Sequence, residues 1–132
     1  MKMTIEKVQI DLEFIINSTP GVLFNRLSTP SGLSEWFADD VDLHDESVYT
    51  FKWKGEQQEA IVLERKENKL IRFRWLDDDD EEAYFGFRIV TDELTGSTAL
   101  VVTDFCDADE RRYAIELWNK QIELLKHGLG TL

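Results

Sequence analysis

Apolar and polar residues alternate near the start of the chain, from Val8 to Ile16, and only Ile15 breaks the polar half of the pattern. A period of two residues is typical of a strand with one face buried and the other face in water. The sequence therefore predicts a long first strand whose even-numbered side chains face the core.

Two short segments that follow carry the same signal for the start of a helix. Thr19 precedes Pro20, and Thr29 precedes Pro30 in the same way. A threonine hydroxyl accepts a hydrogen bond from a free amide of the first turn, and proline suits the first helical position because no partner is needed there. Two short consecutive helices are expected. Since nothing outside these six-residue segments repeats, shared capping residues explain their similarity better than an internal duplication of the chain does.

Six further apolar or alternating runs are separated by short turns. They span residues 41–44, 48–53, 58–65, 70–76, 84–91 and 98–105. Runs of this length, bounded by turn-forming residues, are typical of an antiparallel meander. Together with the first strand, they predict a sheet of about seven strands.

The aromatic residues of these strands share one parity. They are Phe51, Trp53, Phe73, Trp75, Phe85 and Phe87. Because side chains on the same face of a sheet recur at every second position, a hairpin that pairs Trp75 with Phe85 places all of them on one face. This register also sets Arg72 opposite Arg88 on the other face, which we expect to be solvated.

A long amphipathic helix is predicted at the end of the chain. Asp107 is expected to cap it, with Glu110 completing a capping box, and the helix is expected to stop before Gly128. Its apolar stripe consists of Ala114, Leu117, Trp118, Gln121, Ile122, Leu124 and Leu125. A stripe this wide predicts that the helix covers the sheet.

Composition narrows the class of protein. The chain has 132 residues, with 15 Lys and Arg against 27 Asp and Glu, and a formal charge of −12. This length predicts one domain, residues 1–132. The negative charge repels phosphate backbones and anionic lipid headgroups, so neither nucleic acid nor a membrane is an expected partner, whereas basic or neutral partners, including a basic protein, stay open. Cys106, the only cysteine, cannot close an internal disulfide, and no apolar run is long enough for membrane insertion, so a cytoplasmic protein is expected.

Several motifs, taken in order, resemble those of one family. Leu33, Trp36 and Phe37 are similar to a Leu-x-x-Trp-Phe segment that ends the second short helix in domains like the heat-shock ATPase activators. Residues 70–75 resemble a strand of that branch that ends in an aromatic pair, and residues 96–100 resemble its Gly-x-Thr strand entry. With the order of the elements, these motifs resemble the START-like superfamily, also called SRPBCC. The segment Asp45-Glu46-Ser47 departs from the pattern, because that branch carries a glycine pair there.

The resemblance implies an α+β helix-grip fold, in which a curved antiparallel sheet of about seven strands wraps a long C-terminal helix and two short helices follow the first strand. Family members use the space between sheet and helix for apolar ligands. We therefore expect non-catalytic binding of a small apolar or aromatic ligand, without a cofactor. The residues expected to line this site are Trp36, Phe51, Trp53, Phe73, Trp75, Phe85, Phe87, Ala114, Trp118 and Gln121.

Two other functions stay open. The same rings could fill the core, and the chain would then be a protein-interaction or regulatory module resembling the heat-shock ATPase activators, with an acidic surface for a basic partner; a homodimer also stays open. The third function is catalysis. If Ile61 and Leu63 face the core, Glu59 faces it too, and burial would raise the pKa of its carboxyl group. Glu59 is the weak catalytic candidate.

Residues that often bind metal ions do not form a recognisable motif. The acidic run at residues 77–82 fails the EF-hand pattern, because Glu82 and Arg88 stand where glycine and glutamate are needed. His44 and His127 lie far apart in the sequence and do not make a zinc site with a single cysteine. We expect no metal site, and we interpret the acidic run as a solvated hairpin tip.

Overall fold

Seven strands form one curved antiparallel sheet in the computed structural model, which describes residues 7–130 of the chain. The strands are β1 (Lys7–Ile16), β2 (Asp40–His44), β3 (Val48–Trp53), β4 (Glu56–Lys66), β5 (Leu70–Trp75), β6 (Phe85–Thr91) and β7 (Thr98–Asp107). Their order in space is β1-β7-β6-β5-β4-β3-β2, so β2 to β7 form a meander and β1 pairs with β7. The predicted α+β fold class is confirmed.

Three α-helices accompany the sheet in the described part of the chain. They are α1 (Pro20–Ser28), α2 (Pro30–Leu33) and α3 (Arg111–Gly128). The hydroxyl of Thr19 accepts a hydrogen bond from the amide of Val22 at 3.3 Å, and that of Thr29 accepts one from Gly32 at 2.9 Å. Both predicted caps are confirmed, and they start α1 and α2 where the sequence indicates.

The start of α3 differs from the prediction. Asp107 makes no capping hydrogen bond with its side chain, and a single 3-10 turn, Ala108–Glu110, precedes the helix. The physical reason is that β7 continues through Asp107, which pairs with Lys7 of β1. Its backbone is thus held extended by the sheet, and the helix begins only at Arg111.

The register between β5 and β6 also differs from the prediction. Phe73 lies opposite Phe85, and Arg72 lies opposite Gly86 rather than Arg88. The predicted pairing was therefore wrong by two residues, although the parity of the aromatic face is unchanged. Trp75 has no partner on β6, because the chain leaves the ladder at Phe85 to make a broad connection through the acidic residues.

On β4 the condition that would turn Glu59 inward, with Ile61 and Leu63 facing the core, is not met. Ala60 is fully buried, whereas Leu63 is 51% exposed. The cause lies in the β3–β4 turn, where Trp53 pairs with Glu56 across only two residues and Gly55 adopts a φ of +82°. This tight turn sets the odd-numbered residues of β3 opposite even-numbered residues of β4.

Helix α3 packs on the aromatic face of the sheet through Trp118, Ile122 and Leu125, which are buried. Leu117 and Leu124, which were predicted to face the sheet, are instead 44% and 56% exposed. The sheet covers only the central part of the apolar stripe, so the predicted stripe was too wide. No helix within residues 7–130 is long and apolar enough to cross a membrane.

Candidate functional site

The strands bring the predicted aromatic residues together on one face of the sheet. Ring centroids of neighbouring side chains lie 4.7 Å apart for Trp75 and Phe85, 5.0 Å for Phe73 and Phe85, and 5.5 Å for Phe51 and Trp75. Contacts of this kind add stability beyond the burial of area, because ring edges and faces carry opposite partial charges. These side chains form one continuous aromatic network under α3.

Phe37 lies at the centre of this network, which the sequence analysis did not predict. Its ring stacks on Phe85 with a centroid distance of 5.7 Å and on Trp118 of α3 at 5.9 Å, while Phe51 meets its edge at 5.1 Å. Only 5% of Phe37 is exposed. The ring therefore fills space between sheet and helix in which a ligand was expected.

The segment that carries Phe37 is held by hydrogen bonds to its main chain. The carbonyl oxygen of Phe37 accepts a bond from Nε1 of Trp53 at 3.0 Å and one from Nε2 of Gln121 at 3.5 Å. One residue earlier, Nε1 of Trp36 donates to the carbonyl of Arg26 at 2.8 Å. These bonds fix the backbone and leave the Phe37 side chain held by packing alone.

Beside Phe37, a groove opens at the edge of α3. This helix-edge groove has a volume of about 360 Å³ and is lined by Trp36, Phe37, Trp53, Gln121 and Leu124, among others. Pockets for small ligands start at roughly 300 Å³ and combine apolar walls with a few polar groups. The groove fits that description, and its polar groups are the Gln121 amide together with Ser34, Glu35 and Asp39.

The other predicted lining residues lie away from the groove. Phe73, Phe85 and Phe87 are buried in the aromatic network, where Phe87 meets Trp118 edge to face at 5.8 Å. Ala114 is partly buried against the core one turn before Trp118. The ligand-binding role of all these residues stays a prediction, since the structure gives their positions only.

Glu59, the catalytic candidate, does not face the core. It is exposed and lies opposite Thr50 on the outer face of the sheet. The β3–β4 turn sets the register so that Ala60, and not Glu59, faces inward. Glu59 is therefore not a buried carboxylate beside the aromatic rings.

A different carboxylate, that of Asp104, is half-buried under α3. Asp104 accepts a hydrogen bond from Nε1 of Trp118 at 2.8 Å and one from the amide of Phe105 at 2.8 Å. Burial raises the pKa of Asp104 above its ordinary value, and the bond from Trp118 offsets part of that rise. The parity of β7 carries the signal that could have identified it, since Asp104 alternates with Leu100 and Val102 on the inner face.

The raised pKa of Asp104 predicts a pH effect on stability. A buried acid whose pKa is higher in the folded state binds more protons there, so its contribution to stability falls as pH rises from about 3.8, its ordinary pKa. We expect Asp104→Asn, which keeps an acceptor for Trp118, to become more favourable relative to wild type between pH 4.5 and 7.5. Urea unfolding at both pH values measures the difference, and an unchanged difference would contradict the assignment.

The remaining candidates from the sequence are Cys106 and the acidic run at residues 77–82. Burial raises the pKa of the Cys106 thiol, and the Asp104 carboxylate raises it further, so the reactive thiolate is disfavoured. In the acidic run, Asp78 forms an ion pair with Lys7 at 2.9 Å. Within residues 7–130, no group of three or more histidine, cysteine or acidic side chains is placed to hold a metal ion.

Comparison with known proteins identifies what the chain resembles. A family model described as a START-like superfamily domain matches residues 3–131. The solution structure of BfR322 from Bacteroides fragilis is 40% identical, with a TM-score of 0.67 over 96% of this chain and 93% of that chain. Comparison with curated proteins gives no match.

Two further solved structures share the fold at lower identity. The Aha1 dimer from Colwellia psychrerythraea is 20% identical, with a TM-score of 0.75 over 90% of this chain and 93% of that one. Protein MLL2253 from Mesorhizobium loti is also 20% identical, with a TM-score of 0.75 over 93% and 97% of the two chains. At this identity the likeness extends to the fold alone.

Proposed function

The chain belongs to the START-like superfamily, and on this basis we propose that it binds a small, flat, apolar ligand at the helix-edge groove without catalysing a reaction. The observation that carries the proposal is the groove itself, which opens beside the aromatic network where sheet and helix part. Trp53 and Leu124 offer apolar walls, and the Gln121 amide offers one hydrogen-bonding group. Ser34, Glu35 and Asp39 also line the groove, so such a site selects a ligand by ring shape and by a few polar contacts.

Phe37 gives the ligand a route into the core. Its backbone is anchored through the carbonyl, so rotation about its side-chain bonds moves the ring without breaking those hydrogen bonds. A ligand ring that takes its place lies between Phe85 and Trp118 and restores both stacking contacts. The chain's charge of −12 favours neutral or cationic ligands at this site, where no cation lines the groove.

Titration with 2-naphthol, which is uncharged at pH 7, tests this proposal. We expect saturable quenching of tryptophan emission in the wild type, and about tenfold tighter binding to Phe37→Ala, because the removed ring leaves apolar space of the right shape. Phe14→Ala is the matched control, since Phe14 packs on the core from the opposite edge strand. It should lose stability without gaining affinity.

A second function is favoured by an exposed apolar stripe on α3. Tyr113, Leu117 and Leu124 follow one another along the helix and are 67%, 44% and 56% exposed. In a protein-interaction module, this stripe would bind a partner, and the acidic residues elsewhere on the surface would favour a basic one. If neither the wild type nor Phe37→Ala binds 2-naphthol saturably, the ligand proposal is wrong and this function replaces it.

A further inference from the structure

The face of the sheet that points away from α3 carries a second groove, with a volume of about 470 Å³. We call it the arginine groove, and its defining residues are Asp11, Arg72, Tyr84, Gly86, Arg88 and Thr103. Arg72, Gly86 and Arg88 alternate along β5 and β6 with side chains of the aromatic network, and Asp11 and Thr103 continue the row of Gly86, so the groove lies on the opposite side of the sheet from the helix-edge groove. The two grooves are separate sites.

Gly86 forms the floor of the arginine groove. It lies between Thr103 of β7 and Arg72 of β5, so three strands contribute one residue each to the same row. A Cβ atom added at Gly86 would come within 3.0 Å of Cγ of Arg72. The missing side chain thus creates a recess in a face that is otherwise covered by side chains.

Two arginines stand on one side of this recess. The guanidinium of Arg72 pairs with Glu64 at 3.3 Å and lies over the Tyr84 ring, 5.2 Å from its centroid. The guanidinium of Arg88 makes no ion pair or hydrogen bond with any residue in the described part of the chain. Because Arg88 lies two positions beyond the partner of Arg72, their Cα atoms are diagonal neighbours about 7–8 Å apart. Both guanidinium groups can therefore reach one anion.

The strands on either side of Arg88 place no counter-ion directly opposite its exposed side chain. Its cross-strand neighbours are Leu70 and Val101, which are apolar and offer no counter-ion. The chain has nearly twice as many acidic as basic residues, and Lys7, Lys52 and Arg72 all pair with carboxylates. A bound anion would supply the missing charge and relieve the repulsion between the two arginines.

The opposite wall of the arginine groove carries a hydrogen-bond acceptor. The Asp11 carboxylate accepts hydrogen bonds from the Thr103 hydroxyl at 2.6 Å and from the Gln9 amide at 3.1 Å. These bonds hold the carboxylate in place and leave lone pairs that face the groove. Donors on one side and an acceptor on the other define the polarity of a ligand that spans the recess.

We propose that the arginine groove binds a small planar organic acid with a hydroxyl or amino group at its far end. The ligand's carboxylate lies between Arg72 and Arg88, its ring covers Gly86 beside Tyr84, and its far donor meets Asp11. Two strand spacings, roughly 10 Å, separate the backbones that carry Asp11 and Arg88, which suits a molecule of one or two fused rings. The surplus negative charge of the chain disfavours polyanions, whereas a single carboxylate can share the Arg72 guanidinium with Glu64 and pair with Arg88.

The probe for this proposal is 6-hydroxy-2-naphthoate, compared with its uncharged amide. We expect saturable binding of the acid, with shifts of the Gly86 and Thr103 amide resonances, and at least about tenfold weaker binding of the amide. Arg88→Gln should weaken binding of the acid by about tenfold. Arg112→Gln is the matched control, because Arg112 is exposed on α3 and its removal should leave the affinity unchanged.

A second variant tests the other end of the ligand. Asp11→Ala should weaken binding of 6-hydroxy-2-naphthoate several-fold more than binding of 2-naphthoate, which lacks the donor. The proposal is overturned if acid and amide bind equally, if Arg88→Gln and Arg112→Gln behave alike, or if the probe shifts only the Trp53 indole resonance of the helix-edge groove. The Gly86 and Thr103 amides report on the arginine groove and the Trp53 indole reports on the helix-edge groove, so failure at one site is separable from failure at the other.

Discussion

Replacing Trp118 with alanine should lower the free energy of unfolding by about 3–5 kcal/mol, the range found when a large buried ring is deleted. The ring is 6% exposed and links α3 to Phe37 and Phe87, with centroid distances of 5.9 Å and 5.8 Å. Its removal leaves a cavity at the junction of sheet and helix. It also removes the Nε1 donor from Asp104, whose buried carboxylate then keeps only the Phe105 amide.

Urea unfolding of three variants separates these effects. Trp118→Phe keeps most of the apolar volume but removes the hydrogen bond, and it should therefore lie between wild type and Trp118→Ala. Asp79→Asn, on the exposed connection between β5 and β6, is the control and should change stability by less than about 0.5 kcal/mol. Equal losses for Trp118→Ala and Asp79→Asn would show that α3 does not pack on the sheet as described.

Gly32→Ala should be the second most damaging single change, with a loss of about 3 kcal/mol. A Cβ atom at Gly32 would lie 2.3 Å from the carbonyl oxygen of Asn25 and 2.7 Å from Cα of Arg26, and both are backbone atoms of α1. Backbone atoms cannot move aside as a flexible side chain does, so α1 and α2 must separate. Because the segment with Trp36 and Phe37 follows α2 directly, the aromatic network should loosen as well.

Gly21→Ala offers the matched control for this prediction. Gly21 also lies in a helix, but the nearest atom to an added Cβ is Oδ1 of Asn68 at 3.8 Å, which is an ordinary contact. Alanine is a better helix former than glycine, so this variant should gain about 0.5 kcal/mol. Thermal unfolding of the two variants should show shifts of opposite sign, and a shared sign would contradict the close approach of α1 and α2.

The parts of the fold that could be predicted depend on local patterns. Thr19 and Thr29 cap their helices because capping involves only the next few residues, and the shared parity of the aromatic residues survives in the sheet. Register could not be predicted in the same way. The β3–β4 hairpin turns within two residues, whereas the β5–β6 connection spans residues 76–84, and the alternation within the strands indicates neither length. Turn length, and not strand composition, decided which residues of β4 face inward.

The candidate site was harder to predict than the fold, and Phe37 shows why. It lies outside any regular element, so no periodicity indicates where its ring points. Only the packing of α2, β3 and α3 around it places the ring between Phe85 and Trp118. The parity of β7 could have indicated that Asp104 faces inward. The register of β4, which decides whether Glu59 faces inward, does not follow from the sequence pattern.

The pairing of β1 with β7 has a consequence for how the chain folds as it is synthesised. Asp11 and Thr103, which face each other across this pair, are 92 positions apart, whereas the hairpins from β2 to β7 join neighbours. Closing so long a loop costs more entropy than forming a hairpin, so β1 should join the sheet last. During synthesis, β1 leaves the ribosome before β7 and stays unpaired until β7 has emerged. During that delay its alternating acidic residues, Asp11 and Glu13, keep an unpaired strand from associating with other nascent chains.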